Sequence, residues 1–380
     1  MRTITCASAL LVGAAGYSQI PDLLTAFDAG GRSLGLGSTL GASGSNTQSA
    51  ITNPAGLGYS SQAQFNMTAR NLTESETKIS NSFVDPDYEV SGTSGKRVIT
   101  HLGYIKPLGK NASLGLAYSV GGYIRDRKTG TNLTDGNLVY RNYNELLRAK
   151  TDFFAISYGK ASGDFKQSFG AGVIMASHNT RNNQTYQLFN SNGTPDTGDD
   201  TQIPVTPLEN SGTLFGLGAV VGLQFNPDAN TSFGFSLRTP IELSGDAAVE
   251  DYYKRIPGKF SAGIARRMDS VRTEDDSLLV GAQMDYFFGG SSAGIIHRKN
   301  NQLALGVGAE YAFRYRGGTM PIRIGFRNVG KGGDGFSQTN HFTFGFGYAP
   351  DGSNYAIDLD FGSSDRGASD LSLSLTYRFK

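Results

Sequence analysis

The chain has 380 residues, with 34 Lys and Arg against 33 Asp and Glu, for a formal net charge of +1. That balance, with no basic block, excludes a nucleic-acid partner, which needs a cationic face to neutralise phosphates. Gly is about twice its usual share and Trp is absent, while apolar residues are too few and too dispersed for a bundle of membrane helices.

In chain order the first predicted element is a secretory signal over residues 1–18. Arg2 supplies the positive start, Cys6 to Ala15 the apolar core, and Gly16-Tyr17-Ser18 the small residues at the cleavage point. The apolar run falls short of the roughly 20 residues that a spanning helix needs, so removal is expected. The mature chain then has no cysteine, and an exported protein without disulfides must be held by hydrogen bonding and burial.

Residues 19–61 show no period. They hold a short amphipathic piece, Ile20 to Phe27, then Gly30-Gly31, Leu34-Gly35-Leu36-Gly37 and a soft stretch over 41–49. At their end, in ITNPAGLGYS, Pro54 restricts Asn53 to an extended or turn conformation.

From about residue 62 the chain alternates apolar with small or polar residues, the period of strands. In 302–315, Leu303, Leu305, Val307, Ala309, Tyr311, Phe313 and Tyr315 point one way. Gln302, Ala304, Gly306, Gly308, Glu310, Ala312 and Arg314 point the other. Strands are predicted at 62–83, 96–106, 112–127, 147–160, 165–182, 211–225, 232–243, 257–268, 277–289, 301–315, 319–328, 340–349, 354–362 and 369–379. A soluble sandwich also alternates, but its wet face is rich in Lys, Glu and Thr, whereas this one is Gly, Ala and Ser with scattered charges. Short turns also alternate with longer polar loops near 84–95, 128–146, 183–210, 244–256, 290–300 and 329–339, the asymmetry of bacterial outer-membrane barrels. The turn over 269–276 is longer and more charged than the other short ones. The fold expected is all-β: a 14-stranded antiparallel transmembrane β-barrel over 62–380. Its sheet must close, because lipid offers no partner to a free strand edge.

A barrel of this size is wider than its own side chains can fill, and a Gly-rich segment can pack closely against the wall. Residues 19–61 are therefore expected to form an N-terminal hatch in the lumen, joined to the wall by the turn at Asn53-Pro54-Ala55-Gly56. The export signal, Asp28-Ala29-Gly30-Gly31-Arg32-Ser33-Leu34-Gly35-Leu36-Gly37, Asn53-Pro54-Ala55-Gly56-Leu57, and fourteen strands ending at Tyr377 and Phe379 together resemble the FadL/TodX family of outer-membrane transporters. The resemblance implies passive uptake of long-chain fatty acids or similar hydrophobic compounds across the bacterial outer membrane, with release sideways where the third strand kinks. It further implies that Asn53, Pro54 and Ala55 are the hatch element beside that gap. Paired Gly in a strand marks a bulge or bend, so Gly121-Gly122 is the predicted kink, against the alternative of two packing glycines among many. PorV-like relatives of the same fold imply a second function, with an exported protein as partner in secretion or surface assembly.

Inward positions carry charges, Arg238, Asp285, Glu310, Arg323, Arg327, His341, Asp358 and Asp360 among them, expected to pair across strands. Hydrophobic ligand contacts are then expected from the hatch, through Ile20, Leu23, Leu24, Phe27, Leu34 and Leu36, and from Tyr186 and Leu188. Partners expected are a hydrophobic small molecule and outer-membrane lipid. The four histidines, His101, His178, His297 and His341, have no metal spacing, and no Gly-x-Ser-x-Gly elbow is present. No metal, cofactor or enzymatic activity is expected. Residues 190–200, NSNGTPDTGDD, present oxygens suited to Ca²⁺ but lack the closing Glu of an EF-hand loop, and read as a solvated loop.

Overall fold

The computed structural model describes residues 30–82, 86–193, 197–247, 255–290, 301–332, 338–365 and 369–379. The expected signal, Ile20, Leu23, Leu24, Phe27 and His297 lie outside them. Fourteen strands form the wall. They are β1 (Gln64–Asn81), β2 (Pro86–Pro107), β3 (Ala112–Asp135), β4 (Leu138–Ala161), β5 (Gln167–Asn190), β6 (Leu208–Phe225) and β7 (Thr231–Arg238), then β8 (Gly258–Asp269), β9 (Ser277–Phe288), β10 (Gln302–Tyr315), β11 (Gly318–Val329), β12 (Thr339–Pro350), β13 (Tyr355–Ser364) and β14 (Ser369–Arg378). Each pairs antiparallel with the next, and β14 returns to β1 from Gln64↔Arg378 to Asn71↔Leu371, so the sheet is a closed barrel.

The period-two pattern sorts side chains between two faces. On β10, Leu303, Leu305 and Val307 are exposed on the outside while Gln302 and Ala304 are buried inside. Phe342, Phe344 and Phe346 on β12 and Leu371, Leu373 and Leu375 on β14 extend the same outer belt. A face this apolar and exposed exceeds what monomeric soluble proteins present to water.

The strands are unequal. β3, β4 and β5 have 24 residues each, whereas β7 has 8 and β14 has 10. Two stretches expected as loops, 84–95 and 128–146, belong largely to strands: β2 begins at Pro86, and β3 and β4 are joined only by Gly136 and Asn137. Beyond the apolar belt both faces of β3 and β4 carry polar residues, so the alternation that marks strands in the sequence fades. The tall wall is held instead by polar pairs such as Lys128 with Glu145, 3.8 Å apart, and by Tyr186, tilted against Tyr140 and stacked on Tyr143.

The β2–β3 ladder runs only from Pro107↔Ser113 to His101↔Ser119. Above it β1 becomes the neighbour of β3, with Ser75–Ile79 parallel to Asp126–Gly130. The β1–β2 ribbon therefore turns over, helped by irregularities at Thr68/Ala69 and Glu76/Thr77 and by the strong twist of two-stranded ribbons. On β7 the expected strand to 243 stops at Arg238. Pro240 has no N–H for a ladder, and Ile241 and Leu243 turn in against the inner face of β6, where Ser244 and Gly245 pair with Phe215 and Leu214.

Residues 30–60 hold a short helix α1 (Gly31–Gly35), a single turn α2 (Ser49–Thr52) and a 3-10 helix (Pro54–Tyr59). Almost every residue from Gly30 to Gly44 is buried, against inward-facing positions of the wall.

Candidate functional site

The junction turn is built on Asn53, fully buried, with the extended backbone that Pro54 imposes (φ −153°, ψ 96°). Its side-chain oxygen accepts from Ala55 N–H at 3.1 Å and so caps the 3-10 helix, whose first residue is Pro54. Its amide donates to the Ala42 and Leu223 carbonyls. Gly159, Gly170 and Gly222 on β4, β5 and β6 leave no room for a Cβ against Pro54, Ala55 and Asn53, so the turn lies directly on bare wall backbone. Gly56 meets Gly44 and Ser49 of its own segment.

The wall supplies hydroxyls where the segment presents carbonyls. Ser157 donates to Ala50 (2.6 Å), Ser168 to Ala55 (2.7 Å), Ser113 to Ser60 (3.2 Å), Ser232 to Ser43 (3.1 Å) and Thr343 to Gly35 (3.1 Å). Each such bond contributes about 1 kcal/mol net. The small inward residues are thus a seat fitted to this segment's backbone. Leu34 and Leu36, expected as ligand contacts, are fully buried in it: Leu34 clusters with Phe287, Ala304 and Val329, and Leu36 with Leu40 and Ala265.

The inward charges pair. Arg323 donates to Glu310 (2.6 Å), Asp358 (2.6 Å) and Asp360 (3.3 Å), and Arg32 of α1 joins the group through two bonds to Glu310 at 2.8 and 2.9 Å. Arg327 and Lys259 flank Asp285, Arg70 pairs with Asp370, and His341 is bonded to Thr339. Arg238 donates to the Pro257 carbonyl and lies over the Phe153 ring. A cavity of about 530 Å³ opens beside this cluster, its lining including Arg32, Gln48, Asn66, Arg323, Thr376 and Arg378.

Gly121 sits at an irregularity in β3, where Val120 pairs with Asp152 but Gly122 with Thr151. A Cβ on Gly121 would enter the Phe153 ring. This is also where the β2–β3 ladder ends, at buried His101, whose ring is bonded to Ser119 (2.8 Å) and to Thr47 of the inner segment (3.0 Å). The inner segment therefore meets the end of the ladder through Thr47, while Asn53, Pro54 and Ala55 sit on β4–β6. Sequence reasoning missed Thr47 and His101; a lone His among small residues is the only signal they leave.

Beside Gly121 the inner wall is apolar. Phe153, Ile174, Leu214 and Val220 pack with Ile241, Leu243 and Ile256 of the β7–β8 connection and with Ile51 of α2. Outside, an apolar groove of about 510 Å³ lies on β2–β5, lined by residues including Leu102, Leu116, Tyr118, Phe154, Ile156 and Met175. Ala155 borders both the inner cluster and the outer groove. These inner residues, rather than Tyr186 and Leu188 in the tall wall, form the apolar patch. In the 190–200 loop Asp200 pairs with Arg141, and among the described residues no group of three or more His, Cys, Asp or Glu could hold a metal.

The class so defined is a closed, antiparallel 14-stranded barrel whose N-terminal segment packs against its inward-facing residues. Solved structures share this fold. A Pseudomonas aeruginosa FadL homologue is 16% identical, covering 94% of this chain and 100% of its own, with a TM-score of 0.60. The Ralstonia pickettii toluene transporter TbuX is 14% identical, with coverage of 94% and 100% and a TM-score of 0.60. The P. putida toluene transporter TodX is 14% identical, with coverage of 93% and 97% and a TM-score of 0.58. No protein-family model and no curated protein matches the chain.

Proposed function

We propose that the protein is an outer-membrane transporter for passive uptake of hydrophobic small molecules, long-chain fatty acids or similar compounds. In this reading residues 1–18 are a cleaved signal, 19–61 a hatch plugging the lumen and 62–380 the membrane barrel. The observation that carries it is the meeting, at one place in the wall, of a ladder that ends at His101/Ser119, an irregular strand at Gly121 and apolar surface on both sides. A hydrophobic molecule would have a short path there from the inner apolar cluster, past Ala155, to the outer groove and lipid. Asn53, Pro54, Ala55 and Gly56 anchor the hatch, Gly121 and Gly122 shape the exit, and Thr47 with His101 guards its lower edge. The solved structures that share the fold include two toluene transporters, which supports a hydrophobic substrate. No step requires a cofactor or an energy source.

The test is entry of a fluorescent long-chain fatty acid, and of toluene, into liposomes containing the purified protein. Entry faster than in protein-free liposomes is expected. Gly121→Val/Gly122→Val should cut it about tenfold or more, since the Phe153 ring must move into the exit. Wild-type entry no faster than the protein-free rate would overturn uptake.

A second reading, a PorV-like role with an exported protein as partner, rests on the tall wall: strands of 24 residues run about 80 Å, far beyond a hydrocarbon layer of about 30 Å. Absent uptake together with co-purification of an exported protein would favour it.

A further inference from the structure

The outer face of β3–β5 carries a feature that uptake does not use. Arg125, Arg148 and Arg181 are direct cross-strand partners, Arg125↔Arg148 and Arg148↔Arg181, so three guanidinium groups stand in one row. Like charges directly opposite one another destabilise a sheet. Arg125 is offset by Glu74 at 2.5 Å. Among the described residues no carboxylate pairs with Arg148 or Arg181, and the Arg148 Nε is buried without a hydrogen-bond partner.

Strand alternation places Arg148 on the same face as Lys150, Asp152 and the exposed Phe154, and Arg181 on the same face as Met175. Phe154 and Met175 line the 510 Å³ apolar groove. Lys150 stands at the groove's rim, its Nζ donating to the hydroxyl of Tyr118, a groove residue, at 3.0 Å and pairing with Asp152 at 2.8 Å. Going up β4, an apolar trough is thus followed by a charged rim and then by a cation row in which, among the described residues, only Arg125 has a carboxylate partner.

We propose that this face binds a phosphate-bearing membrane lipid, its acyl chain in the groove and its phosphate on Arg148 and Arg181. Guanidinium forks suit phosphate oxygens, and basic clusters beside a membrane belt recognise anionic headgroups. The groove decides between lipid and free anion, because a soluble phosphate would leave it unused. The inference rests on the membrane placement proposed above and shares its groove with the proposed exit, whereas Arg148 and Arg181 take no part in uptake.

The test uses the purified full chain in detergent, with bound lipid counted by native mass spectrometry. Dioleoylphosphatidic acid should be retained about tenfold or more over dioleoylglycerol, which has the same chains without phosphate. Arg148→Gln/Arg181→Gln should abolish that preference, and Arg148→Lys/Arg181→Lys, which keeps the charge and loses the fork, should keep only part of it. Inorganic phosphate in large excess should not displace the lipid. Equal retention of the two lipids by the wild type, an undiminished preference in the Gln variant, or displacement by inorganic phosphate would each overturn the proposal. Uptake measured on the same Gln variant reads the transport hypothesis separately.

Discussion

Asn53 shows how one side chain can fix a junction. It accepts one bond from the Ala55 N–H and donates two, to the Ala42 and Leu223 carbonyls, and accepting one while donating two takes a neutral amide. Asn53→Ala should destabilise the protein by about 3 kcal/mol, through loss of the cap and of donors to buried carbonyls. Asn53→Asp should cost more, because a carboxylate would face two carbonyl oxygens. Urea unfolding of the reconstituted protein, followed by far-UV circular dichroism, checks both, and an Asp variant as stable as wild type would refute the assignment of the amide. The extended backbone of Asn53 was legible in the sequence, since Pro54 dictates it. Its partners were not: Leu223 lies 170 residues away, and nothing in the spacing of Gly159, Gly170 and Gly222 says which backbone approaches them.

Among elements, the long charged turn between β8 and β9 finds its reason in Asp276. Its carboxylate accepts from the N–H groups of Val271, Arg272 and Thr273 and from the Tyr311 hydroxyl at 2.7 Å. Burial pushes this carboxyl up, but those donors outweigh it and hold it down to about 2. A carboxyl lowered on folding stabilises above its unfolded value and loses that contribution as pH falls through its folded one. Protection of the 271–273 amides against hydrogen exchange should therefore be steady above about pH 4 and decline toward pH 2, and Asp276→Asn should abolish the dependence. Strand positions were readable wherever a greasy outer face met small inner residues, as in β10 and β12. They were unreadable in the upper halves of β3 and β4, where both faces are polar, and at Ile241 and Leu243, whose apolar character fits a strand and an inward turn equally well.

At the scale of the molecule, the tall wall and the barrel are separable. Replacing residues 129–144 by a two-residue Asn-Gly turn between Lys128 and Glu145, which are cross-strand partners, should leave a folded barrel, judged by heat-modifiable gel migration. Fatty-acid entry should persist in that variant if uptake is the function, and its loss would tie transport to the wall.

The inner segment makes bonds to β3, β4 and β5 on one side of the lumen and to β9, β10 and β12 on the other. It is therefore less a cork than a mandrel. A ring of strands already sealed would have to admit the segment and fit its carbonyls to hydroxyls all around the circumference. Winding the staves about a spindle avoids that rearrangement, so the segment and the wall are expected to take shape together.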